Sequence, residues 1–95
     1  MKKAICNTLD IKGHFTSSNV FELQDKIEYA LHTNDILTLN LKQLVEVDLV
    51  CAFMLFICIV KANKKNKEIK LQNLENNAIK EVFQMIGLNR YLGTI

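Results

Sequence analysis

The spacing of apolar residues predicts an amphipathic helix in the first third of the chain. Its buried stripe recurs every three or four residues and consists of Val20, Leu23, Ile27, Ala30 and Leu31. Helix-capping residues fill positions 16–19, and Glu22 stands three residues after Asn19, which is the spacing of a capping box. We therefore expect a helix that begins after Asn19 and ends around residues 32–34.

Strand-like patterns occur in three other parts of the chain. Residues 36–41 alternate, with three leucines on one side, and residues 68–72 place an isoleucine and a leucine on one face. Near the N-terminus, residues 2–9 and 11–15 are tolerant of β structure, which predicts a strand pair with a turn near Asp10.

The most apolar segment is an uninterrupted run over residues 49–60. Asp48 directly precedes the run, where its carboxylate can accept hydrogen bonds from the free N–H groups of a first helical turn. The segment is therefore predicted to form a helix that continues to about Asn63. A run of this length rises about 18 Å as a helix, well short of the roughly 30 Å hydrocarbon core, so no membrane span is expected.

A third helix is predicted near the C-terminus. Its apolar stripe consists of Ala78, Ile79, Val82, Phe83 and Ile86. Gly87 stands where a left-handed residue commonly ends a helix, and the residues after Leu88 are expected to be a short tail.

The predicted order of elements is strand, strand, helix, strand, helix, strand, helix. Helical connections between strands favour parallel pairing, so this order is typical of an α/β fold. We expect a single domain over residues 1–95, with a mixed, largely parallel sheet of four to five strands and about three main helices.

Charge and cysteine content narrow the class of protein. The chain of 95 residues has 12 basic and 10 acidic residues, and its formal charge of +2 does not indicate a nucleic-acid partner. The lysines clustered over residues 61–70 have no interleaved aromatic residues and suit the negative end of a helix dipole, so a solvated surface is expected. Three cysteines without a C-x-x-C pair are typical of reduced core cysteines, and the N-terminus lacks a secretory apolar segment, so we expect a cytoplasmic protein.

Patterns that carry catalytic or metal chemistry are scarce. His14 and His32 are the only histidines, and both fall in predicted turn or helix-end positions. The three glycines stand alone, so there is no Gly-rich phosphate loop, and no close pair of metal ligands occurs. We expect no enzymatic activity, no catalytic residue, no metal and no cofactor.

The apolar run lacks the polar stripe that a helix on a sheet normally presents to water. Lysines 61, 64 and 65 are expected to point outward, and helical spacing extends their side back along the run. That outward side consists of Val50, Met54 and Ile57, flanked by Phe53 and Cys58. The side expected to face the sheet consists of Ala52, Leu55, Phe56 and Ile59. The outward side is a candidate protein interface. The alternatives are that another part of the same chain covers it or that the domain tolerates an exposed apolar patch of ordinary size.

Four features, in order, carry a resemblance that covers approximately residues 5–92. They are Gly13 after the first strand and before the helix start Val20-Phe21-Glu22-Leu23, the strand over residues 36–41, Val45-Glu46-Val47-Asp48 before the long apolar helix, and Ile69-Lys70-Leu71 followed by a helix over residues 82–88. Together they resemble the STAS domain, the module shared by sulfate transporters and anti-sigma factor antagonists.

The resemblance implies a non-catalytic binding module that docks through the start of the helix after Asp48. In the antagonists the corresponding Asp lies in an Asp-Ser-Ser/Thr-Gly context and precedes a phosphorylated hydroxyl, whereas this chain has Asp48-Leu49-Val50-Cys51. The resemblance therefore implies a docking surface without the phosphorylation switch. The expected partner-binding residues are Asp48, Leu49, Val50, Phe53, Met54 and Ile57.

Several partners remain open at this point. One is a kinase-like or other regulatory protein, as expected for a module similar to an anti-sigma factor antagonist. Another is the ATPase of a bacterial lipid-asymmetry ABC transporter, on which a small STAS subunit sits. A homodimer through the same helix is a third.

Overall fold

The computed structural model describes residues 4–92, and these residues form five strands, three α-helices and a short 3-10 helix. In chain order the elements are β1 (Cys6–Asp10), β2 (Gly13–Phe15), α1 (Val20–Thr33), β3 (Ile36–Asn40), β4 (Leu44–Val47), α2 (Leu49–Lys64), β5 (Glu68–Gln72), α3 (Asn77–Ile86) and the 3-10 helix (Leu88–Tyr91). The predicted α/β class and its three main helices are confirmed.

The strands form two sheets in which every described pair is parallel. β3 lies between β1 and β5 in one sheet, and β2 pairs with β4 in the other. The predicted pairing of the first two strands with a turn near Asp10 is therefore wrong, because β1 and β2 pair with different strands. Lys2 and Lys3, which belonged to that prediction, lie outside the described residues.

The strands divide into two sheets because the chain bends between β1 and β2 and, beside it, between β3 and β4. Gly13 adopts a left-handed φ of 71°, and the register between β2 and β4 shifts at this residue. Ile11 N–H donates to the Asn40 carbonyl at 3.0 Å, and Gly13 N–H donates to the Gln43 carbonyl at 2.9 Å. The segment from β1 to β2 thus runs beside the segment from β3 to β4 through the bend, and neither segment reverses its direction.

The core lies between the helices and one face of the sheets. Leu37 and Leu39 of β3 and Leu71 of β5 are fully buried there, and Ile27, Leu55 and Phe83 contribute the central side chains of the three helices. The opposite face of the first sheet is polar, since Thr38 and Asn40 alternate with the leucines of β3. The alternation predicted for residues 36–41 is therefore confirmed.

The helix ends follow local signals in the sequence. α1 ends at Thr33 and β5 spans residues 68–72, as predicted, and Gly87 ends α3 in a left-handed conformation with a φ of 88°. The predicted capping box at Asn19 is wrong, because its side chain makes no cap hydrogen bond. Its amide instead accepts from Thr16 N–H at 2.9 Å and donates to the His14 carbonyl at 2.7 Å, which ties the loop to β2.

Two elements were not anticipated. β4 lies where only a connection was expected, and its burial pattern does not alternate, since Val45 and Glu46 are both exposed between two buried residues. The expected C-terminal tail is a 3-10 helix in which Leu88 is fully buried, and Leu92 then forms an isolated bridge with Leu71.

Not all three cysteines belong to the core. Cys51 and Cys58 are buried, as predicted, whereas Cys6 is exposed on the edge strand β1, so its assignment to the core is wrong. Burial raises the pKa of the Cys51 thiol to about 12 and that of the Cys58 thiol to about 11. Both buried thiols are therefore kept protonated and serve as apolar packing groups.

Candidate protein-binding face

The start of α2 is fixed by Asp48. One carboxylate oxygen of Asp48 accepts a hydrogen bond from Cys51 N–H at 2.9 Å, which satisfies a free donor of the first helical turn as predicted. The other oxygen accepts from Ser17 N–H at 3.0 Å. Asp48 therefore connects the beginning of α2 to the loop before α1, a contact between residues 31 positions apart that local sequence patterns do not predict.

These hydrogen bonds lower the pKa of the Asp48 carboxyl group below its ordinary value, the bond from Cys51 being the largest cause. A carboxyl group with a lowered pKa in the folded state stabilises the fold above its unfolded-state pKa. This contribution is lost as the pH falls through the folded-state pKa.

We expect Asp48→Ala to reduce the free energy of unfolding by about 1 kcal/mol at neutral pH, the ordinary effect of removing a helix cap. The difference from wild type should begin to shrink as the pH falls below about 4, the ordinary pKa of an unfolded aspartate, and should continue to shrink as the pH falls through the lower pKa of folded Asp48. Urea unfolding followed by circular dichroism at several pH values measures both effects. Asp48→Asn is the control, because it keeps a cap acceptor without the charge. An Ala variant as stable as wild type at neutral pH would contradict this role.

Four large apolar residues of α2 are exposed along one side of the helix. The exposed fractions are 52% for Leu49, 65% for Val50, 53% for Phe53 and 41% for Ile57. The opposite side packs into the core, where Ala52, Leu55 and Ile59 are at most 1% exposed. Within residues 4–92, then, no other part of the chain covers this side of α2.

The predicted orientation of α2 is right in outline, but the exposed face is displaced away from α1, which packs against the edge that carries Cys58. Cys58 is 5% exposed, so its place beside the outward face is wrong. Met54 is only half-exposed and packs against the core, with its sulfur 3.4 Å from the Cys58 sulfur. Phe56, expected to face the sheet, is half-buried, and its ring lies 6.4 Å from that of Tyr91. The face is therefore centred on Leu49, Phe53 and Ile57.

A groove of about 640 Å³ runs along the exposed side of α2. Its lining comprises Leu49, Val50, Phe53, Met54, Ile57 and Lys61 from α2, Gln24 from α1 and Ile86 from α3. The five apolar site residues predicted from the sequence thus line one groove, and Asp48 caps the helix that carries them. Gln24 and Ile86 were not predicted, because they come from other helices.

The first turn of α2 carries no hydroxyl group, since residues 49–51 are Leu, Val and Cys. Hydroxyl side chains do lie nearby, in the loop at residues 16–18, where the Thr16 and Ser18 oxygens are 2.9 Å apart. The described residues also contain no group of three His, Cys, Asp or Glu side chains arranged to hold a metal ion. Nor is any helix within residues 4–92 long and apolar enough to cross a membrane.

Solved structures with the same fold include both regulatory and transporter proteins. The unphosphorylated anti-sigma factor antagonist SpoIIAA superimposes with a TM-score of 0.79 at 17% identity, over 98% of this chain and 82% of that one. SpoIIAA from Bacillus, a cell fate determinant, in its phosphorylated form gives a TM-score of 0.72 at 17% identity, over 98% and 85% of the two chains. A sulfate transporter family protein from Wolinella succinogenes gives 0.67 at 13% identity, over 92% and 75%.

The sequence comparison identifies the family directly. No curated protein sequence matches the chain significantly. A family model described as "Mlab, STAS domain" matches residues 2–94, which is nearly the whole chain. The match agrees with the order of elements and with the structural likeness, so the chain belongs to the STAS domain family.

Proposed function

We propose that this chain is a single, non-catalytic STAS unit that binds another protein through the exposed face of α2. The observation that carries the proposal is the apolar groove lined by Leu49, Val50, Phe53 and Ile57 directly after the Asp48 cap. Burying a large apolar side chain contributes about 1.5–3 kcal/mol, so four of them contribute roughly 6–12 kcal/mol before the cost of association. The cost of association is of the same size, about 4–15 kcal/mol, so a specific complex also needs contacts around this apolar face.

The first candidate is a regulator similar to an anti-sigma factor antagonist but without its phosphorylation switch. SpoIIAA, with the same fold, is known in unphosphorylated and phosphorylated forms. In this chain residues 49–51, directly after Asp48, have no hydroxyl group that a kinase could phosphorylate. Phosphorylation at these residues would therefore not control binding of the partner. A cytoplasmic location suits such a regulator.

The second candidate is a STAS subunit that docks on the ATPase of a lipid-asymmetry ABC transporter. The description of the matching family model, "Mlab, STAS domain", favours this candidate. Both candidates use the same groove and differ in the partner that fills it.

Affinity capture with tagged protein from its native cell lysate, analysed by mass spectrometry, tests the proposal. We expect one dominant protein that is captured by wild type and lost with Ile57→Asp. Ile5→Asp is the matched control, because it changes an equally large exposed residue that does not line the groove. A regulatory kinase-like protein supports the first candidate, and an ABC ATPase supports the second. Capture that is unchanged by Ile57→Asp, or recovery of this chain alone, would refute docking through α2.

A further inference from the structure

The groove on α2 continues into a basic cleft. Lys61 lines the end of the apolar groove and also lines a second depression of about 250 Å³ between the C-terminal halves of α1 and α2. The second depression is lined by Glu28, Leu31, His32, Cys58, Lys61, Ala62, Lys65 and Lys67. The surface along α2 therefore changes from apolar to basic at Lys61.

The lysines at this end have no acidic partner among residues 4–92. Ion pairs in that part of the chain join His14 to Glu46 and Lys26 to Glu22, and none involves a lysine of α2. Lys61 and Lys65 line the cleft, and Lys64 stands seven positions after Ile57 and so on the exposed side of α2. All three lysines are exposed, and the cleft contains one carboxylate, that of Glu28. Carboxylates of a bound partner would complement this excess of positive charge.

The walls of the groove favour a helix as the bound element. They consist of side chains from α1, α2 and α3, whose backbone groups are bonded within their own helices except in the first turn of α2. An extended peptide would find no strand edge there along which to pair its main chain, whereas a helix satisfies its own backbone and needs only side-chain contacts. α2 has 16 residues and is about 24 Å long, so it can support a bound helix of several turns.

We propose that the α2 groove binds an amphipathic helix of a partner protein whose apolar face is followed by acidic residues that contact Lys61, Lys64 and Lys65. This inference rests on the proposed function and specifies the chemistry of the partner. A protein helix fits better than a membrane surface, because the apolar residues form a shallow groove that is flanked by Gln24 of α1 and Ile86 of α3.

Two synthetic helical peptides test the inference. Both carry the same Leu and Phe face, and their flanking positions at both ends are Glu in one peptide and Lys in the other. Binding to the whole chain is measured by fluorescence anisotropy at low and high salt. We expect the Glu peptide to bind about tenfold more tightly at low salt, and the preference to weaken as salt screens the charges.

Two triple variants of the chain test whether the lysines at the end of α2 cause the preference for the Glu peptide. Replacement of Lys61, Lys64 and Lys65 by Gln should abolish it. Replacement of Lys12, Lys42 and Lys80 by Gln should leave it intact, because those three lie away from the end of α2 in the chain and line neither depression. Equal binding of the two peptides, no binding of either, or a preference that survives the first triple variant would overturn the inference.

Two further measurements exclude other occupants. Tighter, lysine-dependent binding to vesicles of phosphatidylcholine and phosphatidylglycerol in equal parts would assign the surface to a membrane and overturn the inference. So would a dimer of this chain, detected by sedimentation equilibrium, that Ile57→Asp dissociates. Capture of a protein through Ile57 without any preference for the Glu peptide would overturn the charge inference alone and leave the proposed function standing.

Discussion

Leu55→Asp is expected to abolish folding. Leu55 is 1% exposed and lies on the side of α2 that faces the core. Truncation of a buried leucine alone costs about 2–5 kcal/mol, and burial of an unpaired carboxylate adds several more. Because small domains are stable by only about 5–15 kcal/mol in total, the sum is of the same size as the whole stability.

Circular dichroism and urea unfolding provide the measurement. The Leu55→Asp chain should lack a cooperative transition at neutral pH, and Leu55→Ala should keep one that is shifted by about 2–5 kcal/mol. Val50→Asp is the control on the same helix, and since Val50 is 65% exposed, its transition should remain close to that of wild type. A Leu55→Asp chain as stable as the Val50→Asp chain would show that α2 is oriented differently.

Local signals in the sequence predicted most of the helical structure. Asp48 caps α2, Gly87 ends α3, and the leucines of β3 alternate between core and opposite face, all as expected from their immediate neighbours. Such features depend on backbone hydrogen bonds and side chains within a few residues of each other. Sequence spacing is therefore sufficient to place them.

The strand arrangement depended on contacts between distant residues. The sequence indicated a reversing turn near Asp10, but the chain bends at Gly13, which has a left-handed conformation, without reversing its direction. β4 went unrecognised because Val45 and Glu46 are both exposed, so the two-residue alternation of a half-buried strand is absent. Only the pairing with β2 identifies this segment as a strand.

The exposed face of α2 likewise depends on contacts between residues that are distant in the sequence. The lysines at the end of α2 indicated the exposed side of the helix, but they carry no information about which neighbour packs along each edge. α1 lies against the edge that carries Cys58, since Glu28 and Leu31 line the same depression as that cysteine. The packing of α1 therefore removes Cys58 from the surface and half-buries Met54, which the α2 sequence alone does not reveal.

Phe53→Asp is expected to weaken binding of the captured partner about a hundredfold while it preserves the fold. Phe53 lines the middle of the groove and is 53% exposed, so a partner that fills the groove would bury its ring. Truncation of a central aromatic residue in an interface commonly costs 2 kcal/mol or more, and the new carboxylate would add the cost of losing its hydration. About 2.7 kcal/mol corresponds to a hundredfold change in dissociation constant.

Titration calorimetry with the purified partner, combined with urea unfolding of the variant alone, separates binding from folding. Tyr29→Asp is the matched control, because Tyr29 is a 76% exposed aromatic residue that does not line the groove. It stands five positions after Gln24 on α1 and so on a different side of that helix from the groove wall. Equal losses of affinity in the two variants would indicate a general effect of the added charge. A loss confined to Phe53→Asp, with an unchanged unfolding transition, would place the partner on the exposed face of α2.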